Sequence, residues 1–150
     1  MGIKIIYSNR KAYHEYQIGE KFEAGISLRG TEVKALREGK VNLSEGWIDL
    51  TSKNELVLMQ AHIGHYTFGN IHNHIETRPR KLLMHKKEII KLTHQVFAKG
   101  VALVPLKLYF KGQFIKLEFG LGKGKKQHDK RESSKKKDAD RDIARAMRDR

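Results

Sequence analysis

Between Tyr16 and Leu28 apolar and polar positions alternate, with Tyr16, Ile18, Phe22, Ala24, Ile26 and Leu28 on one parity and Glu20 as the exception. A period of two predicts a strand with one buried face. Gly25 inside the run predicts a bulge or bend. The period then changes over Gly30–Gly39: Thr31 reads as a cap, Glu32 suits a positive helix start, Val33 and Leu36 form one apolar face, and Gly39 is a stop. Val41–Leu50 and Glu55–Ile63 read as two strands joined by the turn-forming Ser52-Lys53-Asn54. Residues 64–79 are polar, rich in histidine and carry Pro79, which predicts an irregular loop. Ile89, Leu92 and Val96 are spaced for an amphipathic helix over 86–98, stopped by Gly100. Val101–Phe110 is a strongly apolar strand in which Pro105 requires an edge or a bulge. Lys111-Gly112 turns the chain, and Phe114–Leu121 alternates, with Ile115, Leu117, Phe119 and Leu121 inward and Lys116 and Glu118 outward.

The pattern gives about six antiparallel strands and two short helices, a mainly β body whose small core favours closure into a small barrel without exposed edges. Beyond Leu121 the pattern fails: the only sizeable apolar residues there are Ile143 and Met147. Such a stretch cannot bury enough surface to offset its ordering entropy. We therefore divide the chain into a body, residues 1–122, and a basic tail, residues 123–150, disordered when free.

Charge changes the picture next. The 150 residues carry a formal charge of +14, of which the tail, with twelve basic and six acidic side chains, supplies +6. A polyanion is the first partner this implies, nucleic acid ahead of a membrane surface. With no cysteine there is no disulfide framework, thiol nucleophile or zinc ribbon. Met1–Ile6 is too short an apolar stretch for a signal peptide, and no run approaches the roughly 20 apolar residues of a membrane helix. The expectation is a soluble monomer of a reducing compartment, without membrane association or cofactor.

Catalytic chemistry finds little support. His62-x-x-His65 and His72-x-His74 could ligate a metal, yet no cysteine joins them, Glu76 is the only nearby carboxylate, and residues three apart on a strand face opposite ways. No Gly-x-Ser-x-Gly elbow is present, and nothing in the sequence brings Glu23 and Glu118 together as a carboxylate pair. Gly120–Lys126 has glycines and lysines but not the Walker spacing, so it reads as a cationic hinge that approaches phosphates. Basic clusters occur at Asn9-Arg10-Lys11, at Lys34 with Arg37, at Arg78-Pro79-Arg80-Lys81 and from Lys123 to Arg131. Of the interleaved aromatics, which could stack on RNA bases, Tyr109 is the candidate exposed ring, because it shares the parity of Lys107. In the tail, Lys137, Arg141, Arg145 and Arg148 are spaced four, four and three apart, one basic stripe of a helix beside a narrow Ile143–Met147 contact. Alone that helix is marginal, but against a polyanion it would fold.

Several segments then resemble one family in series. Asn9-Arg10-Lys11-Ala12, Glu23-Ala24-Gly25-Ile26 and Gly30–Arg37 resemble the start of small protein B, the SsrA-binding family. Arg80–His85 with Glu88-Ile89, Val104–Phe110 and Gly122–Arg131 resemble its later motifs, so the likeness spans residues 9–148. The chain departs from the family pattern at Ile63-Gly64-His65-Tyr66, where the family carries Ile-x-Pro-Tyr, and at His74-Ile75-Glu76, where it carries His-Asp-Pro.

The resemblance implies a six-stranded barrel of the oligonucleotide-binding type and a cytoplasmic bacterial adaptor, not an enzyme. It would bind the tRNA-like domain of transfer-messenger RNA and deliver that RNA to stalled ribosomes. There the stalled peptide is tagged and the ribosome released. Elongation factor Tu and alanyl-tRNA synthetase act on the same RNA. By position, Glu23, Leu83, His85 and Lys116 fall on the RNA-binding surface, with Asn9, Lys34, Arg37, Lys123, Lys125 and Lys126 beside them. Glu23 would accept bonds from base amino groups or orient a neighbouring lysine. His128, Asp129, Lys130 and Arg131 fall where the family meets the decoding centre. Lys137, Arg141, Ile143, Arg145, Met147 and Arg148 fall where its tail, helical on the ribosome, lies in the empty messenger channel. The competing readings are a general RNA-binding protein with a basic tail and an RNA-processing enzyme using the histidines.

Overall fold

The computed structural model describes residues 2–69 and 73–125. The elements run β1 (Ile3–Ser8), α1 (Arg10–Glu15), β2 (Tyr16–Ile26), α2 (Gly30–Arg37), β3 (Val41–Asn42), β4 (Trp47–Leu50), β5 (Leu56–Met59), β6 (His62–Ile63), β7 (Arg80–Leu83), α3 (Lys86–Lys99), β8 (Ala102–Lys111) and β9 (Phe114–Gly124). Seven strands form one antiparallel sheet in the order β1-β8-β9-β2-β7-β5-β4, and β3 and β6 form a separate two-stranded ladder.

The mainly β, antiparallel class is as expected, but the six-stranded closed barrel is not. No ladder joins β1 to β4, although the sheet curls until β4 touches β8. The two expected middle strands are each broken, which explains the difference. The Gly46 N–H donates to the Leu43 carbonyl at 2.9 Å and turns the chain between β3 and β4. Gln60 adopts a left-handed φ of 56° between β5 and β6. The fragments β3 and β6 pair with each other, and the remaining β4 and β5 are too short to close the array.

Other expectations hold closely. Gly100 ends α3 at φ 60°, its N–H bonded to the Val96 carbonyl. Gly112, at φ 62°, opens the two-residue loop that pairs Lys111 with Phe114. Pro105 sits at a register shift of β8, which places the bulge there although the strand is central. Gly25, by contrast, is regularly paired, and the irregularity of β2 lies between Ile18 and Lys21. Thr31 does not cap α2: its hydroxyl pairs with His74 Nδ1 at 2.9 Å, while Glu32 accepts the Arg29 N–H at 2.7 Å.

One sheet face is the core. Leu56, Leu82, Leu108, Leu117 and Phe119 are buried there against Leu36 of α2 and Ile89 and Leu92 of α3. The opposite face is half covered. At one end α1 lays Ala12 on Val104 and Leu106, with Tyr16 and Ile18 beside them. Gly120 and Gly122 leave room for this second small core: a Cβ on Gly122 would lie 2.7 Å from Val104 Cγ2. The other end of that face stays open.

Candidate nucleic-acid interface

Directly paired residues of an antiparallel sheet point to the same side. Register therefore assembles the open end of the outer face from five strands. Gly25 on β2 is opposite both Leu83 on β7 and Lys116 on β9, Lys116 is opposite Tyr109 on β8, and Tyr109 is opposite Ile5 on β1. Leu83 and Lys116 thus lie two strands apart, about 10 Å. Gly25 between them has no side chain to fill the gap, and a Cβ there would sit 3.2 Å from Leu83 Cβ. His85 is exposed just beyond β7, at the N-cap of α3.

Glu23 occupies the adjacent row. It accepts a hydrogen bond from the Tyr109 hydroxyl, and Lys111 Nζ donates to its two oxygens at 3.2 and 3.4 Å. The Tyr109 bond, with help from Lys111 and Lys116, holds the Glu23 carboxyl below the usual carboxylate range against the opposing effect of burial. Burial, then the Glu23 carboxylate, push the Tyr109 hydroxyl upward, so it remains a neutral donor. Tyr109 is only 5% exposed, which corrects its reading as an exposed ring: its parity is right, but its hydroxyl is bonded to Glu23, which Lys111 holds in turn. Register also sets Glu23 directly opposite Glu118. Like charges so placed repel, and each is turned to its own lysine, Glu118 to Lys21 at 4.0 Å.

The remaining expected residues are elsewhere. Asn9 is 3% exposed, and its amide donates to the Pro105 carbonyl at 2.8 Å, so it ties α1 to β8 rather than facing a ligand. Lys34 and Arg37 are exposed on α2, where Lys34 Nζ stands 5.1 Å from the Tyr66 ring centroid, and neither is a cross-strand neighbour of Glu23 or Lys116. Lys123 lies seven residues along β9 from Lys116, about 23 Å at strand rise. Lys125 reaches back to α1, its Nζ donating to the Tyr13 carbonyl at 3.0 Å. Lys126, His128, Asp129, Lys130, Arg131, Lys137, Arg141, Ile143, Arg145, Met147 and Arg148 lie outside the described residues. Sequence reasoning missed Lys111 and the spacer role of Gly25. The turn held a usable signal for Lys111, because pairing counted outward from Gly112 sets Lys111 opposite Phe114 and Tyr109 opposite Lys116.

Two clusters behind the loop serve the scaffold. Glu32 and Arg80 are wholly buried: Glu32 accepts from Arg78 and Arg80 at 2.5 Å each, while Arg80 also donates to the Ala61 and Glu76 carbonyls. Burial pushes the Glu32 carboxyl up, and the bonds from Arg78, the Arg29 N–H and Arg80 outweigh it, holding the group below its ordinary value. His62 and His65 both approach Glu76, contrary to their expected opposite orientation, because β6 ends at Ile63 and His65 is already in the loop. Among the described residues no three such side chains are grouped to hold a metal ion.

Comparison with known proteins gives a consistent set of relatives. The model of the SmpB protein family matches residues 6–149. The SsrA-binding protein of Carboxydothermus hydrogenoformans is 56% identical over 145 residues, 97% of this chain and 97% of that protein. The SsrA-binding protein of Geobacter sulfurreducens is 53% identical over 149 residues, 99% of this chain and 97% of that protein. A solved chain from a study of tmRNA-SmpB on its way to the center of the bacterial ribosome superposes with a TM-score of 0.67 at 44% identity, covering 81% of this chain and 85% of that one.

Proposed function

The chain belongs to the SmpB protein family, and from that premise we propose that it binds the tRNA-like domain of transfer-messenger RNA and brings that RNA to stalled ribosomes for peptide tagging and rescue. The observation that carries this reading is the open sheet face, where register gathers Glu23, Lys116 and Leu83 around the side-chain-free Gly25. Lys116 supplies a phosphate contact, Leu83 an apolar surface for a base or sugar, and Glu23 keeps Lys111 in place. One packed and one open sheet face is the division of labour of an oligonucleotide-binding fold.

Within the same proposal the protein is a cytoplasmic monomer and an adaptor rather than a catalyst. Elongation factor Tu and alanyl-tRNA synthetase act on the RNA it holds. Lys34, Arg37, Lys123, Lys125 and Lys126 contact phosphates outside the central face. The tail from residue 123 carries the ribosomal half of the function: His128–Arg131 enter the decoding centre, and the stripe of Lys137, Arg141, Arg145 and Arg148, with Ile143 and Met147, folds as a helix in the empty messenger channel. No helix among the described residues is long and apolar enough to cross a membrane.

A competition titration of the full chain tests the central claim, with a tRNA-like elbow RNA against a plain duplex of equal charge at physiological salt. The expected result is a preference of tenfold or more for the elbow, about 1.4 kcal/mol. Equal affinity would mean that charge alone drives association.

A further inference from the structure

The open face continues beyond Glu23 and Lys116 to the free edge of the sheet, and its last part is apolar. Phe114 is 58% exposed at the start of β9, on the same side as Lys116, whose Nζ stands 5.8 Å from its ring centroid. Lys111 is its cross-strand partner, and Ile3, exposed on the edge strand β1, is next in the same row. An aromatic ring left in water between two lysines, beside an apolar floor, has the makings of a base-stacking platform. The ring offers a π-face, which every nucleobase can use, and the ammonium groups meet the phosphates on either side.

We propose that Phe114 stacks on an unpaired base of the RNA bound at this face, with Lys111 and Lys116 at the flanking phosphates and Ile3 extending the apolar floor. The inference rests on the RNA-binding reading and deepens it by specifying the ligand: the outer half of the face takes a splayed loop base, which a continuous duplex cannot supply.

The test uses the full chain and two labelled RNAs at physiological salt: the tRNA-like elbow with its unpaired loop bases, and a blunt duplex of equal charge. Phe114→Ala should weaken elbow binding about tenfold, within the range of one aromatic stack, and leave duplex binding unchanged. Phe114→Trp should restore elbow binding. Its introduced indole, in a Trp47→Phe background that removes the one native tryptophan, should be quenched by the elbow and not by the duplex. Thermal melts check folding, and Phe114→Trp carries the test by itself if the alanine variant is unstable. Elbow affinity within twofold of the parent for Phe114→Ala, an equal loss on both RNAs, or an unquenched indole would overturn the proposal. Lys116→Ala separates the two levels. If it weakens elbow binding while Phe114→Ala does not, only the stacking claim falls; if neither changes the affinity, the face is not the RNA interface.

Discussion

Glu32 carries a charge with no exposed surface, and its two arginines make that possible. A carboxyl held low in the folded state contributes stability that is present above its unfolded value, here 4.5, and is lost as pH falls through the lower folded value. Unfolding followed from pH 7 downward should show that loss beginning as the pH enters the ordinary carboxylate range and completing below it. Glu32→Gln should flatten this part of the acid dependence and cost about 3–5 kcal/mol at pH 7, because Arg80 then remains buried without its counter-charge. A glutamine variant as stable as the parent at pH 7 would dismiss the clamp. Glu23 shows the same chemistry put to another use. Its carboxylate is kept ionised at the surface by Tyr109 and Lys111, so it holds a lysine at the open sheet face instead of stabilising an interior.

At the scale of elements, α1 depends on two glycines that are not in turns. A methyl group on Gly122 would meet Val104 at 2.7 Å and Tyr16 at 3.2 Å, and the β-branched valine has little freedom to yield. Gly122→Ala should destabilise the protein by about 1–3 kcal/mol in denaturant titrations, overpacking outweighing the smaller entropic gain. Gly124→Ala, with nothing within 4 Å, is the control expected to be neutral. The elements legible in the sequence are those with enough residues to show a period and a punctuating glycine: β2, α2, α3, β8 and β9. Those missed lack one or both. β1 is six residues on a free edge, α1 is six residues with Ala12 alone buried, and β7 is four residues beside a loop. The break at Gln60 was hidden because a non-glycine residue takes the left-handed conformation there. For the interface, Lys116 was legible from parity alone. The meeting of Glu23 with Tyr109 and Lys111 was not, since it depends on pairing between strands more than eighty residues apart, which no local period encodes.

At the scale of the molecule the candidate RNA-contacting cations among the described residues fall into separate places: the open sheet face, the exposed side of α2 and the far end of β9. If body and tail divide the work, deleting residues 132–150 leaves elbow binding within twofold of the full chain and abolishes tagging in a stalled-ribosome assay. A truncated chain that still supported tagging would refute the tail's part. The central strand of this arrangement has a further consequence for descent. On β9 the outward-facing Phe114 and Lys116 alternate with Ile115 and Leu117, which face the core. A side chain there can be exchanged one at a time, but the length cannot change: a single inserted or deleted residue would send lysine inward and leucine outward along the rest of the strand. Lineages of this protein are therefore expected to drift in spelling along Phe114–Leu121, with insertions and deletions confined to turns outside the strands, such as 51–55 between β4 and β5.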